Sequence, residues 1–395
     1  MKGIFKYTYS CFIISVLLYG STPVLGSLTG RQLFTIIMLI QCLLKEKRIY
    51  WDKYLSIYIC FYFFFGLSCS IVGTMEYFFH NLLGYFVVSY VLYYATRICL
   101  ISYGHKLLTL TLIGVGLLDS VVTILQYYNY SIVANAICTF LKFNMDDRVR
   151  IQMESANDIL SGVSIPGIFL SPVENGLFLM ICTIISITLI VNRLNSIRRI
   201  ILFLVVYIIF VFTSFVCQQR APFAAGVFFS VCLLYKITKG RYRIIMIAVS
   251  SCLAYFILSN MDLGRFEDFG DMGTRADIHN YSQNYINEHF FLGGIEDYRN
   301  RHVFSPHNLI YNAIIYSGIF GAVFVFLLLF KQICLIGRNI WFNPTSLAAV
   351  FGFIYLGCTF ESWTHNVSIV TGTAIYWIIW SAFLTCVQYK QLEFK

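Results

Sequence analysis

SPHNLIYNAIIYSGIFGAVFVFLLLF (residues 305–330) decides how this chain folds. From Leu309 to Phe330 it holds no Asp, Glu, Lys or Arg. At a helical rise of about 1.5 Å per residue this run is long enough to cross the ~30 Å hydrocarbon core of a bilayer. A proline, a histidine and an asparagine stand at its mouth, and a charged stretch from about 260 to 304 precedes it. Working outward, apolar runs of the same kind fill most of the chain. Hydrophobic residues make up 58% of the 395 and charged residues 12%, about half the charge of a soluble domain. Mean hydropathy is +0.74. The alternating polarity of barrel strands is absent. The reading is an all-α polytopic integral membrane protein with about twelve spans, a single membrane domain over residues 1–395 with no separate soluble domain.

The expected spans are Tyr9–Gly26, Leu28–Leu44, Tyr54–Val72, Tyr77–Ala95, Leu107–Tyr128, Val173–Val191, Ile200–Cys217, Pro222–Tyr235, Ile244–Ser259, Leu309–Phe330, Leu347–Phe360 and Val367–Val387. Tyr9–Gly26 follows Lys2 and Lys6 as a signal peptide would, but it leads directly into another apolar run and reads as an uncleaved first helix. Most Lys and Arg fall on one set of connections, among them Lys45, Lys47, Arg48, Arg97, Lys106, Arg193, Arg198, Arg199, Arg241 and Arg338. Most acids fall on the other, with Asp146, Asp147, Asp262, Glu267, Asp268, Asp271 and Glu296 among them. The positive-inside rule then makes both termini cytoplasmic and turns two long loops outward, 129–172 and 260–306. The net charge of +9 follows from this bias and calls for no nucleic-acid partner. The thirteen cysteines lie mostly within spans without CxxC spacing and read as small hydrophobes, with no disulfide framework or zinc site.

The second outer loop, between spans 9 and 10, carries the densest polar chemistry: Gly273-Thr274-Arg275, Gly293-Gly294, Arg299, Arg301, His302 and His307. Within it, Asp277 to Phe291 is amphipathic through Ile278, Tyr281, Tyr285, Ile286 and Phe290. It is expected as a helix on the membrane surface or packed on the bundle. His-Asn occurs four times, at His80, His279, His307 and His365, so the dipeptide by itself says nothing. Only His307-Asn308 opens into a span carrying Gly318 and Gly321, which allow close helix approach. Arg220, in the tight outer turn Gln218-Gln219-Arg220-Ala221-Pro222, is the other unusual residue. It either snorkels to the surface or serves a function, since arginine at membrane depth is costly. Two arginines converging on one outer pocket suit a pyrophosphate, whose oxygens guanidinium forks bind in pairs. Glu267, Asp268 and Asp271 are spaced too loosely for a metal site. Mid-span Asp119 and Glu361, near an outer end, are candidates for internal pairing or proton handling.

Taken together, Gly273-Thr274-Arg275, then Glu288 to Gly294, then His307-Asn308 through Gly321 resemble the signature region of the O-antigen ligase/polymerase superfamily. Gln219-Arg220-Ala221 is similar to that family's (S/T)-R-(A/G) turn, with Gln219 in place of the small hydroxyl residue. Gly167 to Gly176 resembles its G-x-F-x-x-P-x-x-x-G segment. Gly293-Gly294 departs from the common G-x-G form. The likeness covers roughly Pro166 to Phe330, and the first five spans match in hydropathy only.

The resemblance implies a GT-C-like membrane glycosyltransferase of the bacterial inner membrane, working at the periplasmic face on undecaprenyl-pyrophosphate-linked glycans as donor and acceptor. By the same carry-over His307 is the catalytic base or acceptor-orienting group. Arg220 and Arg275 steady the leaving pyrophosphate, with Asn308, Arg299 and Arg301 as further substrate-binding candidates. No metal or cofactor is implied. The composition leans toward an O-antigen polymerase joining repeat units; the alternative is a ligase transferring the glycan to lipid A–core. In such pathways chain length is set by a separate co-polymerase, the one protein partner implied. A flippase needs ionisable groups along a path across the bilayer, whereas charge here gathers at one face.

Overall fold

The computed structural model describes residues 2–18, 23–25, 28–128, 165–169, 171–191, 197–237, 248, 273–301, 306, 308–343, 347–364, 369–370 and 373–389. The chain there is helical except for one small hairpin. In order it forms α1 (Lys2–Leu18), β1 (Pro23–Leu25), β2 (Leu28–Thr29), α2 (Gly30–Glu46), α3 (Lys53–Val72), α4 (Met75–Asn81), a π-helical turn (Leu82–Val87) and α5 (Val88–Tyr103). There follow α6 (Lys106–Tyr127), α7 (Pro172–Val191), α8 (Ile197–Val216), α9 (Arg220–Ile237), α10 (Gly273–His289), α11 (Ile295–Arg301), α12 (Leu309–Phe342), α13 (Leu347–Thr364) and α14 (Ile375–Gln388). Lys53–Val72, Met75–Tyr103, Lys106–Tyr127 and Leu309–Phe342 are long and apolar enough to cross a membrane, and six shorter apolar helices accompany them.

Local chemistry sets the helix ends. Thr29 and Gln32 close a capping box on α2, each side chain taking the other residue's backbone N–H. Asp52 accepts from the N–H groups of Tyr54 and Leu55 and so starts α3. Gly73 and Gly104, both at positive φ, stop α3 and α5. Two expected spans end elsewhere than their hydropathy suggests. The first helix stops at Leu18, where the β1–β2 hairpin takes over. The last begins only at Ile375, because Ile369 and Val370 form a buried turn whose Ile369 carbonyl accepts from Tyr58 Oη at 3.1 Å. Conversely, α12 runs on to Phe342. All of the expected span Ile244–Ser259 but residue 248, and most of the 129–172 loop, lie outside the described residues, as do Glu267, Asp268 and Asp271.

Two packed groups make up the bundle. In the first, α3 runs along α12, with Phe64 stacking on Phe320 and Phe324 and Gly321 drawing the two helices together. The second is α7 flanked by α6, α8, α9 and α13. Helix α14 bridges α13 and α5, its Trp377 and Trp380 packed among Tyr58, Tyr93, Tyr54 and Tyr355.

Candidate functional site

The expected site elements meet where α12 begins. Asn308 accepts from the N–H groups of Ile310 at 2.8 Å and Tyr311 at 3.4 Å, so its oxygen is the N-cap of α12. One turn on, the fully buried Asn312 donates from Nδ2 to the Pro306 carbonyl at 2.9 Å. Pro306 and Asn308, on either side of His307, are thus both tied to the first turns of α12. His307 itself lies outside the described residues, as does the side chain of Arg275, the third residue of α10. The structure adds a second histidine to this mouth: His279 Nε2 sits 3.0 Å from Tyr311 Oη. As one of four His-Asn pairs, it could not be singled out by sequence.

Helix α10 packs against α12 through a narrower face than its amphipathic pattern implies. Ile278, Tyr285 and Ile286 are buried, whereas Tyr281 and Phe290 are exposed. Its end is tied down by Tyr285. The hydroxyl donates to the Gly294 carbonyl at 2.7 Å and reaches Asp297 at 3.0 Å, while the ring stacks on His289. Burial, reinforced by Asp297, pushes this phenol's pKa above its ordinary value.

The turn after α10 is built into α12. Gly318 breaks that helix at φ +64°. A continuous helix would bond Ile319 N–H to the Ile315 carbonyl four residues back. Here Ile319 N–H donates instead to the Phe290 carbonyl at 2.9 Å, and the Ile315 carbonyl accepts from Gly294 N–H at 2.7 Å. One bond within the helix is exchanged for two between segments. Space dictates the residue types. A Cβ on Gly318 would collide with the Phe291 carbonyl, and one on Gly293 would lie 2.6 Å from the Ile314 and Ile315 carbonyls. Gly318, expected as a helix-contact glycine, is instead a backbone joint; Gly321 alone has the expected part.

The arginines divide. Arg301 bonds Asp297 at 3.0 Å and lies 3.6 Å from Glu288, so it braces α10 against α11; a guanidinium shared between two carboxylates is a weak phosphate ligand. Arg299 is exposed, packs over the Tyr77 ring at 5.5 Å and reaches Tyr316 Oη at 3.5 Å. Arg220 heads α9 after a turn in which Gln218 takes φ +59°.

Arg220 belongs to the α7 group. There the segment Ile165–Phe169 is buried among α6, α7 and α8. Gln126 takes the Gly167 N–H at 2.9 Å and returns a bond to its carbonyl at 3.2 Å. Asp119 accepts Ile168 N–H at 3.0 Å, and Asn175 donates to the Ile165 carbonyl at 2.9 Å. Gly167, at φ +59°, leaves room for the Asp119 carboxylate. The internal partner expected for Asp119 is therefore a peptide N–H. Ile165 N–H in turn bonds the Cys217 carbonyl, three residues before Arg220. Glu361, fully buried on α13, acts electrostatically on Cys217 and Tyr376.

Sequence reasoning passed over a tyrosine cluster. Tyr62 of α3, Tyr77 of α4 and Tyr85 of the π-helical turn each lie within electrostatic reach of Tyr316 of α12. Arg31 of α2 lies over the Tyr85 ring at 5.2 Å. In a chain with 28 tyrosines these could not be told from interfacial belt residues. The irregular turn that places Tyr85 has no sequence signature, although such π segments recur at functional sites. No protein-family model matches this chain, and no curated protein matches it either.

Proposed function

We propose that this chain is a membrane glycosyltransferase that uses a polyprenyl-pyrophosphate-linked glycan, acting as an O-antigen or related surface-polysaccharide polymerase. The observation that carries the reading is the joint at Gly318. The Gly-rich turn and the span after His307-Asn308, two separate parts of the signature, are bonded to each other through their backbones. In this reading a hydroxyl of the incoming lipid-linked repeat unit attacks the anomeric carbon of the growing glycan. The carbon–oxygen bond to the lipid pyrophosphate breaks with inversion, and the hydroxyl proton passes to His307. Arg220 and Arg275 offset the charge on the departing pyrophosphate, and Arg299 is a further cation at the mouth of α12. Asn308 acts through its cap, fixing where α12 starts. The membrane is the bacterial inner membrane, with both termini cytoplasmic, the mouth of α12 periplasmic, and a chain-length-setting co-polymerase as protein partner.

The test is a surface-lipopolysaccharide gel from cells lacking the gene, complemented with the natural chain or with His307→Ala. The polymerase reading expects core carrying one repeat and no ladder in the null and the His307→Ala cells, with the ladder restored by the natural chain. Core without any repeat, with long lipid-linked glycan accumulating, means a ligase. A full ladder from His307→Ala removes the histidine from the chemistry.

A further inference from the structure

We propose that Arg31, Arg299 and the tyrosines between them form a phosphate-binding site for a lipid, separate from Arg220. Three observations lead there. First, both guanidiniums rest on tyrosine faces, Arg31 on Tyr85 at 5.2 Å and Arg299 on Tyr77 at 5.5 Å, and neither has a carboxylate within 4.0 Å among the described residues. The Nε of Arg31 is buried without a hydrogen-bond partner there. A ring face offsets only part of an arginine's charge, and a buried polar nitrogen left unbonded is unfavourable. An anion between the two forks satisfies both.

Second, the wall between them supplies phenols. Tyr316 Oη lies 3.5 Å from Arg299, and Tyr62, Tyr77 and Tyr85 are within electrostatic reach of Tyr316. Phenol O–H groups donate to phosphate oxygens, and guanidinium forks bind them in pairs. Third, the same stretch of chain presents Phe79 and Leu83 at its surface, and Phe320 is exposed on α12. A ligand with an apolar tail fits these surroundings better than a free ion.

The identity of the lipid rests on the transferase reading. A polymerase holds two lipid-linked substrates at once, each with its own pyrophosphate. Arg220 stands with α7–α9, and the present cluster is built from α2, α3, α4, α11 and α12. The geometry therefore assigns one pyrophosphate to each group.

The test uses the full-length protein in detergent, with farnesyl pyrophosphate as probe and native mass spectrometry counting bound copies. Two copies per chain are expected. One should be lost in the Arg31→Gln/Arg299→Gln double variant and the other in Arg220→Gln, while Arg301→Gln keeps both. Tyr85→Phe, which removes a single hydroxyl and leaves the ring beneath Arg31, should weaken one copy about tenfold, equivalent to ~1.4 kcal/mol. Retention of both copies by the double variant overturns the site. So does equal competition by inorganic pyrophosphate, which removes the lipid, or by phosphatidic acid, which removes the pyrophosphate. Loss of a copy in the double variant but none in Arg220→Gln keeps this site and sinks the two-substrate reading.

Discussion

Arginine and tyrosine meet at two places in this molecule, and the company they keep differs. Where α2 and α5 end and α3 begins, Arg97 is only 6% exposed. It stacks on Tyr50 at 4.2 Å, donates to Tyr389 Oη at 3.0 Å and lies 3.5 Å from Glu46. Around it Tyr93 donates to Asp52, Tyr94 to the Arg48 carbonyl and Tyr90 to the Tyr50 carbonyl. Each of these charges has an opposite charge or a bonded partner within the chain, although Nε and Nη1 of Arg97 are themselves buried without a hydrogen bond; what separates this end is the acid. Arg31 and Arg299, by contrast, rest on tyrosine faces with no described carboxylate. A cation closed by an acid is a staple; a cation left with rings alone is prepared for an anion from outside. The same residue types thus serve stability at one end and binding at the other.

The largest expected effect tests what holds the binding end in place. Gly318→Ala puts a side chain into the Phe291 carbonyl at a backbone angle L-residues avoid. It should leave little folded protein in fluorescence-detected size exclusion, whereas Gly337→Ala on the same helix, where a Cβ meets nothing within 4 Å, should run like the natural chain. Equal behaviour of the two would mean the joint is not needed. Next comes the staple: Arg97→Ala removes the buried partner of Glu46, which keeps Arg48 at 3.6 Å, and should cost about 1.5–3 kcal/mol, read as a clear drop in melting temperature. Arg31→Gln and Arg299→Gln should each stay within about 0.5 kcal/mol. Matching losses at Arg97 and Arg299 would erase the contrast between the ends.

A smaller loss is expected in the α7 group. Gln126→Ala removes both bonds to Gly167 and leaves a buried peptide unsatisfied, at about 1–3 kcal/mol. Protease cutting near Ile165 should accelerate, and unchanged cutting rates would show that this segment is held otherwise. The smallest effect concerns His105, between α5 and α6. Burial, with Lys106 adjoining, holds its pKa below the ordinary 6.5. The unfolded chain then takes up the proton first, so stability is whole above pH 6.5 and declines as pH falls through that value toward the lower folded one. His105→Gln should flatten this part of the melting-temperature profile.

The spans were legible wherever apolar length alone decides, as at Lys53–Val72 and Lys106–Tyr127. Two span starts placed by hydropathy alone, at Tyr54 and Leu309, fall next to the caps the structure shows at Asp52 and Asn308. Two kinds of information were hidden. One is backbone exchanged between distant segments: nothing in the run around Gly318 states that its missing bond is made by residues 290–294. The other is assembly of similar residues from several helices, since Tyr62, Tyr77, Tyr85 and Tyr316 acquire meaning only when four elements bring them together.

The buried turn at Ile369 and Val370 has a bearing on the bilayer itself. Helix α14, at 14 residues, rises only about 21 Å, well short of the ~30 Å an ordinary membrane requires. Ile369 and Val370, before it, are buried, with the Ile369 carbonyl held by Tyr58. From Ile375 to Cys386 the helix itself is buried between its neighbours, while Phe360 and Trp363 of α13 face outward. A helix enclosed by other helices need not match the bilayer's thickness, so the shortfall that would thin or tilt the membrane around an exposed span is absorbed inside the protein.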